Sequence, residues 1–368
     1  MCTRRFQKRC SRQFFSSLDH KLVSSKLLNE SCVLKNESRG EEKHMTRKEW
    51  IQMAQNQLDE AKSPTSRLDA EVLLAHVLQV ERIQLHMYPE TVITNEDNAV
   101  LEDLVSRRAA GEPVAYLTGK QEFMGLTFSV SPAVLIPRPD TELLVETTLE
   151  NLKGMHCHHP DQPLLAADIG TGSGCIAVSL AVLMPQVKVL AVDLSSEALA
   201  VSNRNRESHG VKDQVIPLQG NLLEPVREWL QQREHRTSRA GSVGKDTDCT
   251  PEDGKGNKRP CQSFSGKLAA IISNPPYISE EEMRELPASV VDYEPHQALA
   301  GGTDGLDSYR QLTAQAPALL RSGGLLAFEI GYLQGDAVSD LMKTSGFVHI
   351  QVLPDLAGHD RVVLGRMP

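Results

Sequence analysis

The stretch LLAADIGTGSGCIAVSLAVLM, residues 164–184, decides how the whole chain is read. LLAADIG is a short apolar run ending near an acid, the pattern of a strand buried on both faces. GCIAVSLAVLM is apolar at helical spacing. Between them Gly170, Gly172 and Gly174 make a strand-to-helix turn, where missing side chains let a ligand approach the backbone of Gly170, Thr171, Gly172, Ser173 and Gly174. A dinucleotide loop requires G-x-G-x-x-G, and its third glycine would fall here on Cys175; no Lys-Ser/Thr follows, so the loop is not a P-loop either. The remaining ligand is an adenosyl group without a pyrophosphate, S-adenosylmethionine. The plain alternative is a tight turn that binds nothing.

Working outward, strands and helices alternate. VKVLAVD (187–193) is a strand and SSEALAVSNRNRES (195–208) a helix. QVIPLQG, LAAIISN, a helix around 307–320, GLLAFEIG, FVHIQVLP and RVVLGRM follow. This rhythm predicts an α/β fold with a mainly parallel sheet covered by helices, its ligands bound outside the carboxyl ends of the strands. Asp193 ends the second strand, where a carboxylate can accept from both ribose hydroxyls. A helix cap is its alternative role, which Ser195 can fill instead. Asn221 follows the third strand, within reach of an adenine ring or simply in a turn.

The fourth strand runs into ISNPPYIS (272–279). An amide nitrogen is a poor nucleophile because its lone pair is delocalised, so methyl transfer to it needs the N–H groups drawn toward acceptors. The Asn274 side-chain oxygen and the Pro275 carbonyl can be those acceptors. The Pro275-Pro276 pair fixes where that carbonyl points, and the Tyr277 ring can lie flat on a planar amide or base. Such a site works by positioning and electrostatics rather than by a strong base. A proline-rich turn after a strand is the bland alternative.

The flanks differ in kind. Residues 1–44 hold seven Lys or Arg and one Asp in their first 28 positions, with many Ser, then turn acidic. They read as an organelle transit peptide, mitochondrial or plastid, or as a dispensable leader before Met45 of a cytoplasmic protein. Residues 46–115 read as a small helical domain. TRKE (46–49) fits a capping box, SRLDAEVLLAHVL a second helix, and Asn95 to Ala110 a third. Residues 116–140 form a hairpin linker around Gly125, after which Asp140 or Thr141 can cap a helix starting at Glu142. Residues 141–368 carry the α/β domain, interrupted at 231–266 by a polar, Gly- and Ser-rich insertion that cannot offset its own ordering entropy. The cluster His156–His159 lacks a second ligand pair at zinc spacing and reads as a surface loop; Cys249 and Cys261 in the insertion read as incidental.

Composition narrows the classes. Hydrophobic residues make up 40% of the 368, a globular fraction. The net charge of −9 argues against holding nucleic acid through its phosphates. Seven cysteines without paired spacing point to a reducing compartment. No apolar run approaches the roughly 20 residues of a bilayer span.

The order IPRPDTE (136–142), DIGTGSG, Asp193 and NPPYI resembles the HemK/PrmC family, the N5-glutamine methyltransferases of peptide chain release factors; YEPHQALAGGTDGLDSYR (293–310) resembles the same family. The likeness spans about Thr46 to Arg366. It implies a class I methyltransferase sheet of seven strands behind a helical domain that docks the release factor. S-adenosylmethionine would lie on Gly170 to Gly174, Asp193, the Asn221–Leu222 turn and Asn274. The glutamine of a Gly-Gly-Gln loop would enter between Asn274 and Tyr277, with Pro275 and Pro276 shaping the site. Where many relatives carry an acid and an aromatic, this chain has Asn221 and Leu222. NPPY alone is shared with adenine-N6 methyltransferases of DNA or RNA, one rival reading; a non-catalytic cofactor-binding or docking protein is the other.

Overall fold

The computed structural model describes residues 45–160, 164–240 and 267–368. Residues 1–44 and 241–266, with the leader and most of the insertion, lie outside them.

The chain opens with helices α1 (Arg47–Glu60), α2 (Ser66–Leu78), α3 (Arg82–Met87), α4 (Asn95–Ala109) and α5 (Val114–Thr118). Thr46 and Glu49 close the capping box on α1. Trp50, Ala54 and Leu58 of α1 pack with Leu73 and Leu74 of α2 and Leu101 of α4 in one core. Three helices were expected here; α3 and α5 have six and five residues, too short for a periodic pattern to reveal. Next, β1 (Lys120–Phe123) and β2 (Leu126–Ser129) form an antiparallel hairpin. Its turn, Met124-Gly125, has positive φ at both residues, 53° and 70°, as a two-residue hairpin loop requires.

The remaining elements are α6 (Asp140–His158), β3 (Leu164–Ile169), α7 (Cys175–Leu183), β4 (Val187–Asp193), α8 (Ser196–Ser208), β5 (Val215–Gln219), α9 (Glu224–Ala240) and β6 (Leu268–Ser273). After them come α10 (Ala288–Val291), α11 (His296–Leu299), α12 (Asp307–Leu319), β7 (Leu320–Glu329), α13 (Gly335–Thr344), β8 (Val348–Pro354) and β9 (Asp360–Arg366). The seven strands from β3 onward form one sheet in the order β5-β4-β3-β6-β7-β9-β8. Every pairing from β5 across to β7 is parallel, and only β9 runs against its neighbours. Strands β3 and β6 are buried at every position, which explains their unbroken apolar runs. One sheet face packs on α6 and α7, the other on α9, α12 and α13.

Connections run one way from β3 through β4 to β5, then return to β6 on the other side of β3. The crevice at the carboxyl ends of β3 and β6 is therefore the topological switch point, where such sheets bind ligands. DIGTGSG and NPPY both begin there.

Several local expectations change. Helix α9 runs to Ala240, so its last turns occupy residues that read as the start of a flexible insertion. Helix α6 continues to His158, so the histidine cluster is mostly a helix end rather than a loop. The same helix begins at Asp140 after Pro139, and neither Asp140 nor Thr141 caps it; both side chains are engaged elsewhere. No described helix is long and apolar enough to cross a membrane.

Candidate active site

Register brings the two motifs together. Ile169 pairs with Ser273 across β3 and β6, and the Ser273 hydroxyl donates to the Ile169 carbonyl at 2.6 Å. The next residues on each side, Gly170 and Asn274, flank one crevice, so a Cβ on Gly170 would lie 3.9 Å from the Asn274 carbonyl oxygen. A cavity of about 470 Å3 opens from this corner. Gly170, Thr171, Gly172, Ser173, Asp193, Asn221, Leu222, Asn274 and Pro276 line it, together with Arg138 and Thr141. Gly174, Pro275 and Tyr277, also expected in the site, do not. A wider cleft of about 860 Å3, lined by Arg321, Arg366 and two members of the histidine cluster, His158 and His159, contains none of the residues expected to bind cofactor or substrate.

The glycine loop is shaped for a bound group. Gly172 has φ 54° and nothing within 4 Å of the place a Cβ would take, so the space beside its backbone is open. Gly174 has φ 80° and leads α7, its Cβ position already filled by Ser202. Behind the loop Asp168 is fully buried, its Oδ2 accepting from Thr171 Oγ1 at 2.6 Å and from Ala177 N at 3.2 Å, its Oδ1 unpartnered among the described residues. Burial pushes its pKa up to about 7.

Asp193 holds the far side. Ser195 caps α8, as anticipated, but Asp193 is not idle: Oδ2 accepts from Gly172 N at 2.8 Å and Oδ1 from Ser195 N at 2.9 Å. Each oxygen keeps a further lone pair for a hydroxyl. Its pKa is raised by burial and pulled back by these backbone donors. Leu222 stands in the left-handed region at φ 46°, an uncommon posture for leucine, with its residue on the cavity wall.

The Asn274 corner is held from behind. Asn274 Nδ2 donates to Thr141 Oγ1 at 3.2 Å. Neither Asn274 Oδ1 nor the Pro275 carbonyl accepts a hydrogen bond among the described residues. Tyr277 does not stack over the cavity: its ring packs into the core beside Gly331, and its hydroxyl lies 3.5 Å from Glu329 Oε1. The backbone after NPPY is fastened by Ile278 N to Leu299 O, Gly301 N to Ile278 O, and Gln334 Nε2 to Tyr277 O. Gly301 has to be glycine here, since a Cβ would sit 2.8 Å from Tyr277 Cα and 2.9 Å from Pro276 O. This gives GGTDG a physical role as the shelf under NPPY.

The IPRPDTE segment, for which the sequence offered only a helix cap at Asp140 or Thr141, proves to be a junction. Arg138 forms an ion pair with the buried Glu294 of the Tyr-Glu-Pro stretch. Asp140 pairs with Arg361 of β9 at 3.4 Å. Thr141 holds Asn274, and Glu142 Oε1 accepts from Met124 N in the hairpin turn at 2.6 Å. Tyr293 Oη donates to the Ala110 carbonyl at 3.2 Å, tying the helical region to the same loop. The sequence reading gave Thr141 only a capping role and missed Glu329 altogether. The signal for Glu329 was a lone acid inside the apolar run LLAFEI, which a buried strand tolerates only for a reason.

The chain is similar to known proteins over most of its length. The pattern of the PrmC N-terminal domain matches residues 49–119, and that of the methyltransferase small domain matches residues 141–229. A release factor glutamine methyltransferase of Moorella thermoacetica is 42% identical over 299 residues, 81% of this chain and 90% of that protein. One of Nitratidesulfovibrio vulgaris is 34% identical over 325 residues, 88% and 96% of the two chains. A solved structure of a release factor-specific protein-(glutamine-N5) methyltransferase from Alicyclobacillus acidocaldarius is 30% identical and aligns over 66% of this chain and all of its own, with a TM-score of 0.35. With such identity extending from the helical region through the sheet, the chain belongs to the release factor glutamine methyltransferase family.

Proposed function

We propose that the protein transfers a methyl group from S-adenosylmethionine to the side-chain amide nitrogen of the glutamine in the Gly-Gly-Gln loop of class I peptide chain release factors. The observation that carries this reading is the pair of open acceptors, Asn274 Oδ1 and Pro275 O, at the edge of a glycine-lined cavity.

The cofactor, when bound, supplies an electrophilic methyl carbon on a sulfonium. Gly170 to Gly174 give it backbone to lie on, the free lone pairs of Asp193 suit ribose hydroxyls, and the Asn221–Leu222 turn closes the adenine end. The chain's own task is the poor nucleophile. A primary amide has two N–H groups and two acceptors await them; accepting both raises electron density on nitrogen as its lone pair leaves conjugation. Because these acceptors are fixed by Thr141 and by proline rigidity, no reorganisation is needed at the moment of transfer. On transfer the carbon–sulfur bond of the donor would break to leave a neutral thioether, and the surplus proton would pass from the methylated nitrogen to water. Tyr277 acts from behind, through its position against Glu329, rather than as a stacking plate. The helical region 46–115 would dock the body of the release factor, in the cytoplasm or, if residues 1–44 are a transit peptide, in an organelle.

Methyl-labelled cofactor incubated with release factor and with nucleic acid tests the substrate. Label on the factor's glutamine is expected, and label confined to nucleic acid would sink the reading. Asn274→Ala should lower kcat by about 100-fold or more, the usual cost of an acceptor or donor used in the transition state, while cofactor Kd changes little. An equal loss of cofactor affinity would reassign Asn274 to cofactor binding alone.

A further inference from the structure

Two turns at the Asn274 end of the sheet carry large apolar side chains into solvent. Leu333, in the turn after β7, is 76% exposed, and Leu356, in the turn between β8 and β9, is fully exposed. No other large apolar side chain among the described residues is as exposed as these two. Tyr332, 55% exposed, sets its ring edge-on to that of His359 with centroids 5.7 Å apart, which joins the two turns into one surface. A lone exposed leucine is ordinary, whereas adjoining apolar groups mark a place where something binds. Strand register fixes where this surface lies. Ser273 of β6 pairs with Phe328 of β7, Glu329 with Val362 of β9, and Pro354 of β8 with Asp360. The turn after β7 and the turn between β8 and β9 therefore sit at the same end of the sheet as NPPY.

Both turns are pinned from within, so their leucines are held outward. Gln334 closes the first: its Oε1 accepts from Gly331 N at 3.0 Å, and its Nε2 donates to Tyr277 O at 3.0 Å. One amide thus ties the turn bearing Tyr332 and Leu333 directly to the NPPY backbone. Asp355 closes the second: Oδ1 accepts from Ala357 N at 2.9 Å and His359 N at 3.0 Å, while Oδ2 pairs with Arg361 at 3.2 Å. Arg361 also reaches Asp140 at 3.4 Å, next in sequence to the Thr141 that holds Asn274. The apolar surface and the acceptor corner are parts of one bonded framework.

We propose that Tyr332, Leu333 and Leu356 form a docking rim for apolar side chains that flank the glutamine loop of the release factor, given the release factor as the substrate. The cavity takes its walls from the segments that follow β3, β4 and β5, and none from the turn after β7 or the turn between β8 and β9. The cofactor side of Asn274 is thereby distinct from the β7 side, where the rim begins one strand spacing, about 5 Å, from β6. A loop whose glutamine follows two glycines offers almost no side chain to grip. The energy that places its amide has to come from groups outside the loop, and such remote contacts serve the reacting centre. A preformed apolar rim supplies them without ordering cost on the enzyme's side. A second copy of this chain seated here would cover the approach to Asn274 and is the rival occupant.

The test has two arms, both with the full chain and full-length release factor. In steady-state methylation, Leu333→Ser with Leu356→Ser should raise KM for the factor about tenfold or more, with kcat and cofactor Kd within about twofold. Leu333→Met with Leu356→Met keeps the apolar surface and should stay within about threefold of wild type. Calorimetric titration of the factor into enzyme loaded with S-adenosylhomocysteine should show the same loss in Kd for the serine pair and the same retention for the methionine pair. Melting temperatures should not move, as befits side chains in solvent; a clear fall in the serine pair would mean that the chain itself covers the rim, and would overturn the proposal. Unchanged KM and Kd would also overturn it, as would a wild-type dimer in sedimentation that the serine pair dissolves. A wild type that binds the factor without methylating it would count against the substrate reading and leave the Kd comparison to decide this one. A wild type that does neither overturns both.

Discussion

Two glycines of one loop, Gly172 and Gly174, separate folding from binding. An alanine at Gly174 would place Cβ 2.5 Å from Ser202 Oγ and 3.2 Å from Ser202 Cβ, on a buried side chain that cannot swing into solvent. At φ 80° the new residue also bears the left-handed cost of about 1–2 kcal/mol, and overpacking adds about 1–3 kcal/mol. The sum of about 2–5 kcal/mol corresponds to a melting point lower by roughly 5–15 °C in a domain of this size. Gly172→Ala bears only the left-handed cost, because nothing lies within 4 Å of its Cβ position. That open space belongs to the cavity, so the added methyl occupies volume a ligand needs. Thermal unfolding, with and without S-adenosylhomocysteine, and calorimetric titration of that ligand measure both effects. Gly174→Ala should be the unstable variant, and Gly172→Ala the one that binds at least tenfold more weakly at near-native stability. Adding Ser202→Ala to Gly174→Ala should recover part of the lost stability. No recovery, or full cofactor affinity in Gly172→Ala, would refute the assignment of this loop.

Two further perturbations address the supports of the site. Asp168, raised from the ordinary carboxyl value of 3.8 to about 7 by burial, binds its proton more tightly folded than unfolded. The stability this confers is full below the unfolded value and is lost as pH rises through about 7. The span is at most about 4 kcal/mol, so Asp168→Asn should flatten the fall in melting temperature between about pH 5 and pH 8; an unchanged slope would place that titration elsewhere. Asn205 is fully buried and clamps three backbone groups: Nδ2 donates to Ser129 O at 2.9 Å and Ser173 O at 2.8 Å, and Oδ1 accepts from Ser129 N at 2.7 Å. Asn205→Ala should cost about 2–4 kcal/mol in chemical denaturation and expose the β1–β2 hairpin to protease. A loss below about 0.5 kcal/mol would show that water replaces the clamp.

What the sequence displayed and what it hid follow from where each interaction is written. Strands β3 and β6 were legible because burial on both faces demands unbroken apolar runs, and glycine or proline marks where each stops. Ser195 as a cap and the hairpin turn at Gly125 are local chemistry, so local sequence carries them. Helix α9 was lost because the turns that bury Val226 and Leu230 are followed by a charged sequence that merges with the polar stretch beyond it. The roles of Arg138, Asp140, Thr141 and Glu142 were illegible for a different reason. Their partners, Glu294, Arg361, Asn274 and Met124, lie in four separate stretches of the chain, and nothing in the spacing of consecutive residues encodes a partner 156 positions away. Tyr277 was misplaced because a ring beside an amide motif suggests stacking, whereas the buried Glu329 gives its hydroxyl a destination in the core.

These observations share one physical cause. A weak nucleophile gains nothing from a strong base, so the rate has to come from acceptors that are already in place before substrate arrives. Holding Asn274 and Pro275 still requires buried polar groups nearby, and buried polar groups are destabilising unless paired. The fold accepts that cost at Glu329, with one orphaned oxygen, and at Asp168, with another, each behind one half of the site. It accepts a further strain at Leu222, left-handed on the cavity wall. None of these features helps the sheet to fold, and each would be removed by selection for stability alone. Leu222 lines the crevice and Asp168 holds its glycine loop from behind through Thr171, so these two costs fall where a ligand would lie.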